Sequence, residues 1–168
     1  LFSILEEFQK IHGIGPAKAQ ELYEKHKMRT IEELKQNLHL LNDKQRIGLI
    51  HFEDISQRIP YSEMVKHDEF IRNTMNDLYQ SCDKSNDDIK YVIVGSYRRK
   101  SKDSGDIDIL LSGNKNHLKG FIELLIEKKY IIQDSILANG DVKFMGMCKL
   151  PRHKLYRRLD ILYTPPNE

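Results

Sequence analysis

The chain has 168 residues, with 27 basic against 25 acidic side chains and a net charge of +2; so even a balance does not mark a nucleic-acid binder, and any basic surface must come from local clustering. With 39% apolar residues it can bury the core of one large domain or two small ones. No stretch approaches the roughly 18 apolar residues of a membrane-spanning helix and no signal-peptide pattern occurs, while Cys82 and Cys148 match no metal-ligand spacing and read as reduced core residues of an intracellular protein.

Along the chain, residues 1–85 read as helices. In "IHGIGPAKAQELY" (11–23), Gly13 and Gly15 bracket Ile14, and Pro16 sits where a new helix begins. This spells a tight turn between two helices, with Ile14 and Leu22 in the core. The amides of Gly13, Gly15, Ala17 and Lys18 are then open at a helix N-terminus, a ready anion site. It would hold a phosphate without reading base sequence. A plain helix–helix turn uses the same residues, and both readings stay open at this point. "TIEELKQ" (30–36) carries Thr30 as N-cap and Glu33 three positions on, the pattern of a capping box. "PYSEMVKHDEFIRNTMNDLYQSC" (60–82) starts at a proline, which a helix admits only near its beginning. Met64, Val65, Ile71, Met75, Leu78 and Cys82 follow the spacing of one buried face. The polar run "DKSNDD" (83–88) is the expected boundary between a helical domain of residues 1–85 and a second domain of residues 86–168.

After that run the pattern changes to strands. "YVIV" (91–94), "DIDILLS" (106–112), "YIIQDSIL" (130–137), "VKFMGMCKL" (142–150) and "YRRLDILY" (156–163) read as extended, with a helix at "NHLKGFIELLIEK" (116–128). Asn139-Gly140 is a strong hairpin signal. The fold class is α+β, helices followed by a mixed or antiparallel sheet with helices on it.

Two strands carry charge among isoleucine and leucine. In an extended chain Asp106 and Asp108 share one face while Ile107 and Ile109 take the other. In "RRLDILY", Leu159 and Ile161 oppose Arg158 and Asp160 in the same way. If the two strands are neighbours, three carboxylates meet on one open face. They repel one another unless a cation sits among them, and hard divalent ions with oxygen ligands fit best. Taken alone, D-x-D also describes the solvent face of an edge strand. "VGSYRR" (94–99) weighs against that reading. Gly95 permits a close backbone approach, Ser96 offers a hydroxyl, and the next amides can point at an anion. Arg98 and Arg99 bring guanidinium forks, and Gly105 leaves room for a triphosphate beside Asp106. Together these residues read as a nucleotidyl-transfer site.

In their order and approximate spacing, "GIGPAKA", "NDKQRIGL", "RIP", "GSYRR…SGDIDILL", "KFMGMC" and "RRLDI" resemble the family X DNA polymerases of the beta type. The resemblance covers essentially the whole chain and implies a helix-hairpin-helix domain followed by a nucleotidyltransferase palm. It implies that Asp106, Asp108 and Asp160 are the catalytic ligands of two Mg²⁺ or Mn²⁺ ions, with Asp160 nearest the primer hydroxyl. Arg58, Gly95, Ser96, Arg99 and Gly105 would bind the incoming dNTP, and Lys143 and Arg158 would lie at the template and primer. Gly13, Gly15, Ala17 and Lys18 would grip the primer backbone, with Na⁺ or K⁺ held by the carbonyls of Gln9, Ile11 and Ile14. The implied partners are gapped or primer-template DNA and a dNTP, with no membrane, for a monomer in the nucleus or another DNA-containing compartment inside the cell. The family's lyase domain and its "YFTGS"-like segment have no counterpart, so an excised fragment is expected, and Tyr61 stands where the beta type has a basic residue. A template-independent terminal transferase and a non-catalytic DNA-binding fragment are the alternative readings of the same residues.

Overall fold

A computed structural model of the chain describes residues 1–81 and 88–166. The chain divides into two compact units, Leu1–Glu53 and Asp54–Glu168. The first unit is helical: α1 (Phe2–Gln9), α2 (Pro16–Glu24), α3 (Ile31–Lys35), a 3₁₀ turn (Leu38–Leu40) and α4 (Asp43–Ile50), with α5 (Phe52–Ile55) at the division. Phe8, Ile11, Ile14, Leu22, Leu34 and Leu49 form its buried core. Thr30 caps α3 by accepting the Glu33 amide. The reciprocal box expected there closes instead at α4, where Asn42 and Gln45 exchange side chain-to-backbone hydrogen bonds. Gln45 is buried while Glu33 is not, and its side-chain oxygen accepts the Asn42 amide at 3.0 Å.

The second unit contains β1 (Ile59–Pro60), α6 (Tyr61–Ser81), β2 (Lys90–Val94), β3 (Asp103–Ser104), β4 (Ile107–Ser112), α7 (Leu118–Glu127), β5 (Ile131–Asn139), β6 (Lys143–Cys148) and β7 (Arg157–Thr164). The order β2-β4-β7-β6-β5 makes a five-stranded sheet, and β1 pairs with β3 separately. Every neighbouring pair of the large sheet is antiparallel except β4 and β7, which run parallel. Parallel neighbours need a long crossover, and α7 with the β5–β6 hairpin lies between these two strands in the chain. Alternation sends Ile107, Ile109, Leu159 and Ile161 into a core shared with the inner faces of α6 and α7.

The buried face of α6 differs from its expected pattern in two places. Val65 is exposed, and His67 is fully buried. Position 67 lies on the same helical row as Met64 and Ile71, and a polar network, described below, satisfies the buried imidazole. Cys82 and the polar run 83–87, including the expected boundary between residues 85 and 86, lie outside the described residues. The compact units divide earlier than that boundary because Met64, Ile71 and Leu78 of α6 join the sheet core, which places the helix with the second unit. Cys148 is buried with a free thiol. Among the described residues no helix is long and apolar enough to cross a membrane.

Candidate active site

The parallel pairing of β4 and β7 sets Asp108 directly opposite Asp160, and Ile109 opposite Ile161. Both isoleucines anchor in the core, so both carboxylates take the open face. Asp106 lies in the bend just ahead of β4, and carboxylate oxygens of Asp106, Asp108 and Asp160 come within 4.8 Å of one another. Beyond the aspartates the open face continues past Val94, Leu110 and Leu162 as a groove of about 290 Å³, with Lys143 at its side.

Burial and crowding by like charge act together on the Asp108 carboxyl. Burial first, then the charge and hydrogen bond of Asp106 and the charge of Asp160, push the Asp108 carboxyl up to about 6 against the pull of Arg158. Arg158 donates to Asp160 Oδ1 at 2.7 Å and to the Gly146 carbonyl at 2.9 Å. One guanidinium against three carboxylates leaves a surplus of negative charge. An oxygen-only donor set with such a surplus fits a hard divalent cation.

The turn after β2 abuts this cluster. Gly95 has a φ of +78°, a backbone conformation that favours glycine, and a Cβ there would rest in ordinary contact with Asp108 Oδ2 at 3.5 Å, so the turn lies directly against the cluster. The turn closes through Lys100 N–H donating to the Tyr97 carbonyl at 2.9 Å and Ser101 N–H donating to the Ser96 carbonyl at 3.1 Å. Ser96 Oγ accepts a long hydrogen bond from Arg99 Nη2 at 3.4 Å. Arg98 and Arg99 are exposed. Arg58 precedes β1, and its guanidinium donates through Nε and Nη2 to Asp103 Oδ1 at 3.1 and 3.0 Å. Gly105 makes room for it, since a Cβ at that position would meet Arg58 Nη1 at 3.0 Å. Asp103 was not singled out by sequence, although it precedes the glycine by two residues and pairs with Pro60 across the β1–β3 ladder.

A second unforeseen feature lies beneath the site. Arg157 is buried and donates to both oxygens of Glu63, at 2.7 and 2.9 Å. Its third nitrogen donates to the carbonyls of Gln57 and Arg58. His67 joins Glu63 through Nε2 at 3.1 Å and the Tyr130 hydroxyl through Nδ1 at 2.7 Å. These groups tie β7, three residues ahead of Asp160, to the backbone that carries Arg58. The sequence did hold a signal: Arg157 shares the parity of Leu159 and Ile161, and a buried arginine needs a buried carboxylate.

In the first unit the turn between α1 and α2 has Gly13 at a φ of +91° and Gly15 as the extended N-cap of Pro16. The first turn of α2, including Ala17 and Lys18, has no intrahelical carbonyl for its amides to meet. Lys18 pairs with Glu21 at 3.2 Å. The Ile11 carbonyl accepts the Ile14 amide at 3.1 Å, and the Gly13 carbonyl accepts Gln45 Nε2 at 3.0 Å. Gln9 ends α1.

Comparison with known proteins adds to this geometry. A family model of the DNA polymerase beta palm matches residues 58–166, and one of the fingers domain of DNA polymerase lambda matches residues 6–56. DNA polymerase lambda of Arabidopsis thaliana is 31% identical over 171 residues, covering 94% of this chain and 31% of that protein. DNA polymerase lambda of Rattus norvegicus is 30% identical over 174 residues, covering 98% of this chain and 29% of that protein. The crystal structure of Leishmania infantum polymerase beta in a ternary gap complex matches with a TM-score of 0.85 and 32% identity, covering 96% of this chain and 57% of that one. The chain therefore spans less than a third of the length of these curated relatives.

Proposed function

The chain belongs to the family X DNA polymerases, and from that membership and its site we propose that it forms the DNA grip and palm of a DNA-directed DNA polymerase. The reaction is addition of a deoxynucleotide from a dNTP to a primer 3′-hydroxyl at a gap or primer terminus. The observation that carries the reading is the meeting of Asp106, Asp108 and Asp160 against the glycine of the 95–100 turn.

Asp106, Asp108 and Asp160 would hold two Mg²⁺ or Mn²⁺ ions, which when bound neutralise the triphosphate and clamp its in-line displacement. The chain's own groups do the rest by position and charge. Ser96, Arg99 and Arg58 take the phosphates, and Gly95 and Gly105 let them lie against the main chain. Arg158 holds the Asp160 carboxylate by one oxygen, which aims it as the group that helps deprotonate the primer hydroxyl. Lys143, beside the same groove, faces the template. The turn at 11–23 acts as a helix-hairpin-helix: the amides of Gly13, Gly15, Ala17 and Lys18 meet a primer phosphate. The carbonyls of Gln9, Ile11 and Ile14 would hold Na⁺ or K⁺ there. Such a protein works where DNA is kept inside the cell.

Single-nucleotide gap filling by the full-length polypeptide in Mg²⁺ tests the reading. Asp106→Ala, Asp108→Ala and Asp160→Ala should each lower turnover by about a thousandfold, and calorimetric titration with Mn²⁺ should lose its binding heat. An active Asp160→Ala protein overturns the mechanism. Equal incorporation opposite all four template bases would replace template-directed synthesis with terminal transfer.

A further inference from the structure

We propose that Asp68 on α6 is a positioning residue for the 95–100 turn, acting through the hydroxyl of Tyr97. The proposal rests on the reading of that turn as the triphosphate cradle.

The turn has a mechanical difficulty. Gly95 at one end and Lys100 at the other both have positive φ, +78° and +58°, and for lysine that region is uncommon. Its two internal hydrogen bonds close the turn on itself but do not join it to the rest of the unit. A strained segment of this kind keeps one shape only where surrounding groups hold it.

Tyr97 supplies that hold. It stands between Ser96 and the two arginines, and its hydroxyl donates to Asp68 Oδ2 at 2.8 Å. The other oxygen of the same carboxylate accepts the Tyr91 hydroxyl, also at 2.8 Å. Tyr91 belongs to β2, the strand that leads into the turn. Asp68 thus links the turn to both a helix and a strand, with Arg72 as a looser neighbour at 3.6 Å. The Asp68 side chain is 19% exposed, so water competes poorly for these charge-assisted bonds. Burial and the adjacent carboxylate push both phenols up, Tyr91 to about 12, so each remains a donor at neutral pH. The Tyr61 ring stacks on Tyr97 with centroids 5.5 Å apart, which steadies the ring that carries the hydroxyl.

Removal of each hydroxyl that donates to the Asp68 carboxylate provides the test. In the full-length polypeptide, Tyr97→Phe removes the bond to the turn, and Tyr91→Phe removes an equivalent bond to the strand. Tyr97→Phe should raise the apparent KM for dNTP in gap filling by about fivefold, the worth of one such hydrogen bond, with kcat unchanged. Amide hydrogen exchange at Lys100 and Ser101 should quicken in the same variant. Tyr91→Phe should change neither quantity. Unaltered KM and exchange in Tyr97→Phe overturn the proposal, as does an equal rise in KM from Tyr91→Phe. A wild-type protein that adds no nucleotide sinks the polymerase reading instead, and the exchange comparison then decides the Asp68–Tyr97 tie by itself.

Discussion

Arg157 of β7 grips Glu63 of α6 with two hydrogen bonds across 94 residues of chain, and both side chains are shielded from solvent. The pair sits three residues ahead of Asp160 and touches the backbone of Arg58, so the strand of the third aspartate and the arginine assigned to the triphosphate share one anchor.

The first prediction concerns Glu63→Gln and pH. Burial alone would raise this carboxyl, but hydrogen bonds from His67 and Arg157 and the charge of Arg157 outweigh it and hold the group at about 2, below its ordinary 4.5. A depressed carboxyl stabilises the fold fully above its unfolded value and loses that contribution as pH falls toward the folded one. Glu63→Gln should cost about 3 kcal/mol at neutral pH, because it leaves a buried guanidinium without its counter-charge. Denaturant unfolding of both proteins should show that difference shrinking between pH 4.5 and pH 2. A gap independent of pH would mean that the pair contributes shape and no charge.

Much of this site was legible because strand alternation is a local rule. Ile107 and Ile109 against Asp108, and Leu159 and Ile161 against Asp160, give the faces without any knowledge of the partner strand. The parallel neighbourhood of β4 and β7 was only a condition in the sequence, since register depends on a crossover that no short motif encodes. Glu63, His67, Asp68 and Asp103 were invisible for a related reason. Each looks like an ordinary polar residue until a partner distant in the chain is placed against it, as Tyr130 is against His67. Val65 was misplaced because residue type outweighed spacing: the row 64, 67, 71, 74, 78 places His67 on the inner face and Val65 off it, and the Tyr130 hydroxyl and Glu63 carboxylate make the burial of the imidazole favourable.

The second prediction separates space from charge at Gly105. A methyl group there would press on Arg58 Nη1 at 3.0 Å, the free end of a side chain that is 59% exposed. Such an end yields easily, so Gly105→Ala should fold with unchanged thermal stability. The displaced guanidinium would lose its alignment on Asp103. Apparent KM for dNTP in gap filling should rise by about fivefold, in line with one lost charge-assisted bond. A wild-type KM in Gly105→Ala would remove Arg58 from the list of phosphate ligands.

The third prediction lies in the first unit, where α4 supports the turn between α1 and α2. A Cβ at Gly48 would stand 2.5 Å from the His12 carbonyl oxygen. Main chain cannot swing aside as a side-chain end does, so either the helix or the turn must move. Gln45 makes the same support from one turn earlier, donating to the Gly13 carbonyl at 3.0 Å while its own amide is capped by Asn42. Gly48→Ala should therefore cost about 2 kcal/mol of stability, the usual scale of overpacking, and should weaken binding of gapped DNA by displacing the amides of Gly13 and Gly15. Gly15→Ala is the informative contrast. Nothing stands within 4 Å of a Cβ there and its φ of −95° suits any residue, so its stability should match wild type. Its methyl would nevertheless stand at the N-terminus of α2, where a phosphate has to approach the backbone. A loss of DNA affinity in both variants, with a loss of stability in Gly48→Ala alone, assigns the turn to DNA and α4 to its support. Full DNA affinity in both, measured by fluorescence anisotropy at fixed salt, would return the turn to a plain connection between two helices.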